Sequence, residues 1–166
     1  MPFQTQVYST QAPAVEGDFA SANPRHSVLS VEGGFVAGAS GLVIGRFCWA
    51  DAGTSRILAN TGTGAPTGFL HRDLQALITT YLAEAGMVIP AGFGIGELFN
   101  GGDFWVKNAG AGAATVSMKA FAKNADGTIS FAAAGATVAG STETKWFAMT
   151  AGTAGELVKM SDTPLG

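Results

Sequence analysis

The sequence predicts a mainly β fold, a sandwich or barrel with an extended N-terminal arm and at most one short helix. Three observations carry that prediction. Residues 95–131 hold two turn signatures, Phe99-Asn100-Gly101-Gly102-Asp103-Phe104 and Lys123-Asn124-Ala125-Asp126-Gly127-Thr128, each between apolar and β-branched runs. Asn-Gly and Asp-Gly tolerate the positive φ of tight hairpin turns, so strands are expected before, between and after them. From Ser27 onward, short β-prone runs alternate with Gly-rich breaks, enough for about eight to ten strands of a sandwich or barrel. Residues 1–26 differ, being mostly polar or small with prolines at 2, 13 and 24.

The elements follow in order. Proline fixes φ and biases the residue before it toward extended backbone, so residues 1–26 are expected as an extended arm. Its spaced aromatics Phe3, Tyr8 and Phe19 suit docking onto a neighbouring subunit better than a disordered tail. Residues 27–166 are expected as one β-sandwich domain. Strands are expected over residues 27–31, 42–50, 56–59, 95–99, 104–107, 115–121, 128–131, 144–149 and 156–160. In residues 42–50 both alternating sets are largely apolar, so that strand is expected to be covered on both faces. Arg46 within it then needs an acceptor, because an unpaired buried charge is costly. Leu70, Leu74, Leu77, Ile78, Tyr81 and Leu82 keep the 3.6-residue period, with Asp73 and Gly86 as punctuation, and favour one short helix over a strand at Ile78-Thr79-Thr80-Tyr81. Residues 87–92 turn the chain back, and Pro90 confines them to an edge or a strand end.

Composition limits the function classes. The chain has 166 residues, enough for one domain with a real core. Charged residues make up only 13% against 47% hydrophobic, where about 25% charged is ordinary. Either small polar residues replace the missing charge, or other subunits cover part of the surface. The longest apolar stretch, residues 33–45, is Gly-rich and too short for the roughly 20 residues of a spanning helix. The first six residues show no basic segment followed by an apolar run, so no secretory signal is expected. Cys48 is the only cysteine, which fits synthesis in a reducing cytoplasm. The net charge is −3 and the nine basic residues are scattered singly, so neither nucleic acid nor a membrane surface is expected as partner.

Catalytic and metal chemistry find no support in the motifs. His26, His71 and Cys48 fall short of the usual zinc ligand set, and Gly-x-Ser-x-Gly is absent. The Gly92-Phe93-Gly94-Ile95-Gly96 and Gly62-Thr63-Gly64 runs lack the Gly-Lys-Ser/Thr and βαβ setting of a phosphate loop. Asp51, Asp103 and Asp126 each have a turn-forming explanation. No enzyme, metal or cofactor is expected.

The chain resembles the structural cement proteins of tailed-phage capsids. The resemblance rests on an ordered set: Glu16-Gly17-Asp18-Phe19-Ala20-Ser21-Ala22-Asn23-Pro24-Arg25, Gly45-Arg46-Phe47, Gly68-Phe69-Leu70-His71-Arg72, Ile89-Pro90-Ala91-Gly92, Gly102-Asp103-Phe104-Trp105-Val106 and Phe121-Ala122-Lys123-Asn124-Ala125-Asp126-Gly127-Thr128-Ile129. It closes with Ala154-Gly155-Glu156-Leu157-Val158-Lys159-Met160-Ser161. The resemblance implies a jelly-roll-like sandwich on the virion exterior, synthesised in the host cytoplasm. It would bind the outer face of the expanded head and bridge adjacent major capsid subunits, with copies of itself as a dimer or trimer.

The aromatics supply the candidate interface. Phe104-Trp105 and Trp146-Phe147 are adjacent pairs in expected strands, and neighbours on a strand point to opposite faces. One member of each pair therefore faces away from the core. Trp49, Trp105 and Trp146, together with Phe3, Tyr8 and Phe19 of the arm, are the candidate subunit-interface residues. A loop lid over the sandwich is the second explanation of these aromatics, and a carbohydrate-binding module of a head or tail fibre, stacking sugars on Trp105 or Trp146, is the alternative function.

Overall fold

Glycine every few residues keeps the strands short, and the apolar alternation between the glycines decides which face each strand buries. The structure, a computed structural model, describes residues 13–73 and 86–164. All regular structure among the described residues is β: β1 (His26–Ser27), β2 (Phe35–Ala37), β3 (Leu42–Val43), β4 (Phe47–Ala50), β5 (Ile57–Ala59), β6 (Gly68–Phe69), β7 (Val88–Ile89), β8 (Gly94–Ile95), β9 (Phe99–Gly101), β10 (Asp103–Lys107), β11 (Lys119–Lys123), β12 (Ile129–Ala132), β13 (Ser141–Ala148) and β14 (Leu157–Ser161). They build a jelly-roll-like β-sandwich. A seven-stranded sheet in the order β1-β9-β6-β4-β5-β2-β8 packs on a five-stranded sheet in the order β10-β14-β13-β11-β12, and β3 and β7 form a separate ribbon. The expected helix falls from Leu74 onward outside the described residues.

Two cores result. Between the sheets, Phe47, Phe69, Phe99, Phe104 and Trp146 form a chain of rings whose successive centroids lie 4.8 to 6.4 Å apart. Edge and tilted contacts of this kind add about 0.5–1.5 kcal/mol per pair to the area they bury. The second core lies on the other face of the seven-stranded sheet, where Cys48, Leu58, Ala37 and Ile95 meet Leu42 and Ile89 of the ribbon. Strand β4 joins them: Phe47 and Trp49 enter the first core, Cys48 the second. This is the strand expected to be covered on both faces.

The single strand expected over residues 42–50 is in fact two. Gly45 takes φ +77, a left-handed conformation that costs a residue without Cβ nothing, and the chain steps there from ribbon to sheet. Arg46, just after the step, donates from Nη1 to the Asp126 carbonyl at 3.2 Å. That supplies the acceptor its position required.

Only one of the two turn signatures closes a hairpin. Strands β11 and β12 pair antiparallel with Ala122 opposite Ile129, and the turn between them is held by Asp126, which accepts from Thr128 N–H (3.1 Å) and Oγ1 (2.6 Å). This turn also docks across the sandwich, because Phe47 N–H donates to Gly127 O and Gly62 N–H to Asn124 O, both at 2.9 Å. At the other signature β9 and β10 do not pair: β9 belongs to the large sheet and β10 to the small one. Gly102, at φ +123, turns a corner between sheets instead. The local chemistry favoured a turn, but partners distant in sequence, Phe69 for β9 and Met160 for β10, set where its two arms go.

The described part of the arm packs on its own chain. Gly17 N–H donates to Trp105 O (2.7 Å), Trp105 N–H to Asp18 O (2.8 Å) and Ala20 N–H to Asp103 O (2.9 Å), so residues 17–20 run extended along the edge strand β10. Asp103 then fastens the following bend by accepting from Ser21 Oγ (2.5 Å) and Asn23 Nδ2 (2.7 Å).

Candidate functional site

The five-stranded sheet presents the most distinctive surface. In β10, Phe104 and Val106 point into the core, so Trp105 and Lys107 point out; in β13, Trp146 and Ala148 point in, so Lys145 and Phe147 point out. The same parity sends Lys119 and Lys123 of β11 and Lys159 of β14 outward, since Ala120, Ala122, Val158 and Met160 are core. All five lysines of the chain therefore leave one sheet face. Parity survives in β13 because the register slips by a bulge opposite Ala120, where buried Thr144 Oγ1 donates to Ala120 O (2.7 Å) and accepts from Trp146 N–H (3.2 Å).

The lysines are held in two ways. Lys123 and Lys145 reach carboxylates at the sheet ends, Asp126 at 3.3 Å and Asp162 at 3.9 Å. Lys119 lies with its Nζ 3.7 Å from the Phe147 ring centroid, and Lys159 with its Nζ 5.0 Å from that of Trp105. Cation–π contacts at exposed sites are worth about 0.5–1 kcal/mol, enough to keep ammonium groups beside rings without neutralising them.

A second surface comes from unequal sheet widths. Ile57 and Val36 are paired neighbours and lie on the same face of the large sheet as Trp49, as their registers through Ala59 and Leu58 require. Unlike Trp49, neither enters the inter-sheet core, so β5, β2 and β8 overhang the small sheet. Ile57 stays 46% exposed and Phe93, just before β8, 45%. Ile57 and the half-buried Val36 form a small apolar shelf, while Phe93 lies opposite Ala37, on the face of the second core.

Of the six candidate interface residues, Trp105 stands half-buried on the outer face. Trp49 and Trp146 are corrected: they are 7% and 2% exposed and belong to the inter-sheet core. Trp49 is closed over by the loop after β5, donating from Nε1 to Gly64 O at 3.1 Å. Trp146 takes the inward register that leaves Phe147 outside. Phe19 is half-buried, its ring packing within its own chain against His71, Phe99 and Phe104 at 4.8, 5.5 and 5.4 Å. Phe3 and Tyr8 lie outside the described residues.

The ionisable groups behave as structural parts. Asp51 accepts from Thr54 N–H (2.7 Å), Thr54 Oγ1 (2.8 Å), Ile57 N–H (2.8 Å) and Arg56 N–H (3.1 Å), led by Thr54, and these donors hold its carboxyl well below the usual range. Burial pushes the Cys48 thiol far up and the His71 imidazole down. Among the described residues, no group of three or more His, Cys, Asp or Glu side chains is placed to hold a metal ion.

Sequence reasoning missed the lysine face and the shelf. The lysines look scattered along the chain, yet each sits one position from a buried strand residue, and tracking that two-residue parity finds them. The shelf has no local signal, since β2 and β5 are three residues each.

The comparisons define the class as a structural protein of the phage virion, associated with the capsid. The model of the XM1 gp53 minor capsid protein family matches residues 3–162, and the chain belongs to that family. Among solved structures, a chain of the capsid of Myoviridae phage XM1 superposes with a TM-score of 0.69 at 21% identity, covering 98% of both chains. None of the curated proteins matches this chain.

Proposed function

We propose that this chain is a cement protein, a non-catalytic decoration that binds the outer face of the expanded head and bridges adjacent major capsid subunits. The observation that carries the reading is the family match over residues 3–162, which takes in the whole sandwich. Two chemically different surfaces support it. A bridging protein needs at least two contacts, and the apolar shelf of Ile57 and Val36 and the basic face around Trp105 and Phe147 are separate. Each contact is small, and its effect on the shell comes from repetition over many copies.

Purified particles of the encoding phage test this by the copy number of the chain relative to the major capsid protein. A ratio near one and cleavage of the chain by protease added to intact particles are expected. A handful of copies, or full protection inside the shell, overturns the reading. The arm has a test of its own in removal of residues 1–12, which spares Phe19 and its packing. Loss of head binding is expected if Phe3 and Tyr8 dock on a neighbour. Unchanged binding and unchanged heat resistance of the particles would remove the arm from the mechanism.

The carbohydrate-binding alternative is left with less to work with. Trp146 is buried, and the Lys159 ammonium stands 5.0 Å from the Trp105 ring that would stack a sugar.

A further inference from the structure

We infer that the outer face of the five-stranded sheet is the surface through which one copy docks on the acidic body of a neighbouring copy; this rests on the cement reading, in which copies lie side by side on a shell. The chain carries nine basic and twelve acidic residues, and the fold sorts them. The outer face gathers all five lysines against two carboxylates in the same strands, Asp103 and Glu143. Both carboxylates are already engaged, Asp103 by Ser21 and Asn23, Glu143 by Gly135 N–H at 2.7 Å. Lys107, Lys119 and Lys159 make no ion pair with a described residue.

Counting Asp126 and Asp162, which pair with Lys123 and Lys145 at its ends, the face holds five lysines and four carboxylates, and the rest of the chain has eight carboxylates and four arginines. Those arginines are committed within the chain: Arg72 to Asp18 at 3.2 Å, Arg46 to Asp126 O, Arg56 to Gly34 O at 3.0 Å, and Arg25 over the Phe19 ring at 3.8 Å. The face thus carries a formal charge of +1 and the rest of the chain −4. A two-fold contact through this face would set lysine against lysine, so the complementary arrangement is heterologous, basic face to acidic body, which propagates around a ring or lattice.

Size and chemistry favour this occupant. Five strands about 4.8 Å apart and roughly 17 Å long cover on the order of 400 Å², and since the chain itself buries Phe121 on this face, the free part is less than half of one partner's share in a standard interface. Such a contact is weak singly and effective when repeated. A nucleic acid calls for unopposed cations along a backbone track, whereas here two lysines are neutralised by Asp126 and Asp162 and two more are drawn onto rings. Half-buried Trp105 and Phe147 between lysines are the kind of anchors protein interfaces use.

Sedimentation velocity of the full chain tests the inference at about 0.01 M and about 1 M salt, between which the screening length falls from roughly 30 Å to about 3 Å. Concentration-dependent association at low salt that disappears at high salt is expected. The combined variant Lys107→Glu, Lys119→Glu, Lys159→Glu, shown folded by an unchanged far-UV spectrum and melting curve, is expected to associate at least about tenfold more weakly. A wild-type chain monomeric at low salt, or a variant that associates as wild type does, overturns the inference. So does salt-sensitive binding to duplex DNA without self-association. Head binding is scored separately: if wild type fails to bind heads, the cement reading falls; if wild type is monomeric and the variant alone loses heads, the lysine face belongs to the capsid and not to a second copy.

Discussion

The Phe19 ring stacks on the His71 imidazole with centroids 4.8 Å apart and planes 27° from parallel. This stack fastens the N-terminal segment to the core from the side opposite its β10 hydrogen bonds, and Phe99 closes the His71 edge at 4.8 Å. The imidazole is 8% exposed and its Nδ1 has no hydrogen-bond partner among the described residues. Burial lowers its pKa first of all; the nearby carboxylates of Asp73, Glu97 and Asp18 oppose the shift and Arg25 assists it.

A folded-state pKa below the unfolded value near 6.5 means that the unfolded chain takes up a proton the folded one refuses. Stability is therefore full above about pH 6.5 and falls as pH drops from there through the folded value. Glu16 has the opposite sign, because burial raises its pKa and its contribution fades as pH rises. The difference between wild type and His71→Phe isolates the histidine. Urea unfolding from about pH 7.5 to 5 is expected to show wild type losing stability more steeply than the variant, and parallel curves would refute the assignment.

Trp146 and Trp105 lie on opposite faces of the five-stranded sheet. Trp146→Ala opens a hole between the sheets beside Phe47 and Phe104, and a cost of about 3–5 kcal/mol is expected. Trp105→Ala removes a half-buried side chain from the outer face and is expected to cost less than about 1.5 kcal/mol while weakening assembly contacts. Equilibrium denaturation of both, with the copy number bound to heads, checks the pair.

Cys48 lies fully buried in the second core, and burial holds its thiol far above the ordinary cysteine value. Thiolate is the reactive form. A thiol-specific disulfide reagent at about pH 8 is expected to leave the native chain unmodified and to label it once denaturant unfolds it. Fast labelling of the native chain would show that the ribbon does not seal this core.

Local chemistry made part of the fold legible. The turn at Asn124–Gly127 closes a hairpin, Pro90 follows the last residue of β7, and the face alternation of Phe47, Cys48 and Trp49 appears as expected. What failed depended on partners far along the chain. Asn100-Gly101-Gly102 carries the same local signal as Asn124–Gly127, yet its arms enter different sheets because Met160 and Phe69 claim them. Parity shows that Trp146 and Phe147 point apart, but only the packing of the five-stranded sheet decides which one points in. Strands β2 and β6, three and two residues long, hold too few residues for any periodicity. The positive face was hidden by linear distance, since its lysines span residues 107 to 159 and meet only after β10 pairs with β14 and β11 with β13.

Asn108, at the end of β10, offers the sharpest test of the loops that close that end of the sandwich. Its side chain is fully buried: Nδ2 donates to Gly112 O at 2.9 Å and lies 3.4 Å from Gly152 O and Thr153 O, while Oδ1 accepts from Gly110 N–H at 3.0 Å. One amide thus ties the loop after β10 to the loop before β14. Asn108→Asp keeps the shape but turns the donor into an acceptor facing three carbonyls. A buried carboxylate without a cation is expected to cost more than about 3 kcal/mol near neutral pH. The folded state would hold the carboxyl protonated, raising its pKa above the unfolded value near 3.9. The penalty is then smallest below that value and grows as pH rises through it. Asn108→Asp is therefore expected to approach wild-type stability near pH 4 and to lose it steadily toward neutrality. A deficit independent of pH would place the cost in loop geometry and not in the lost donor.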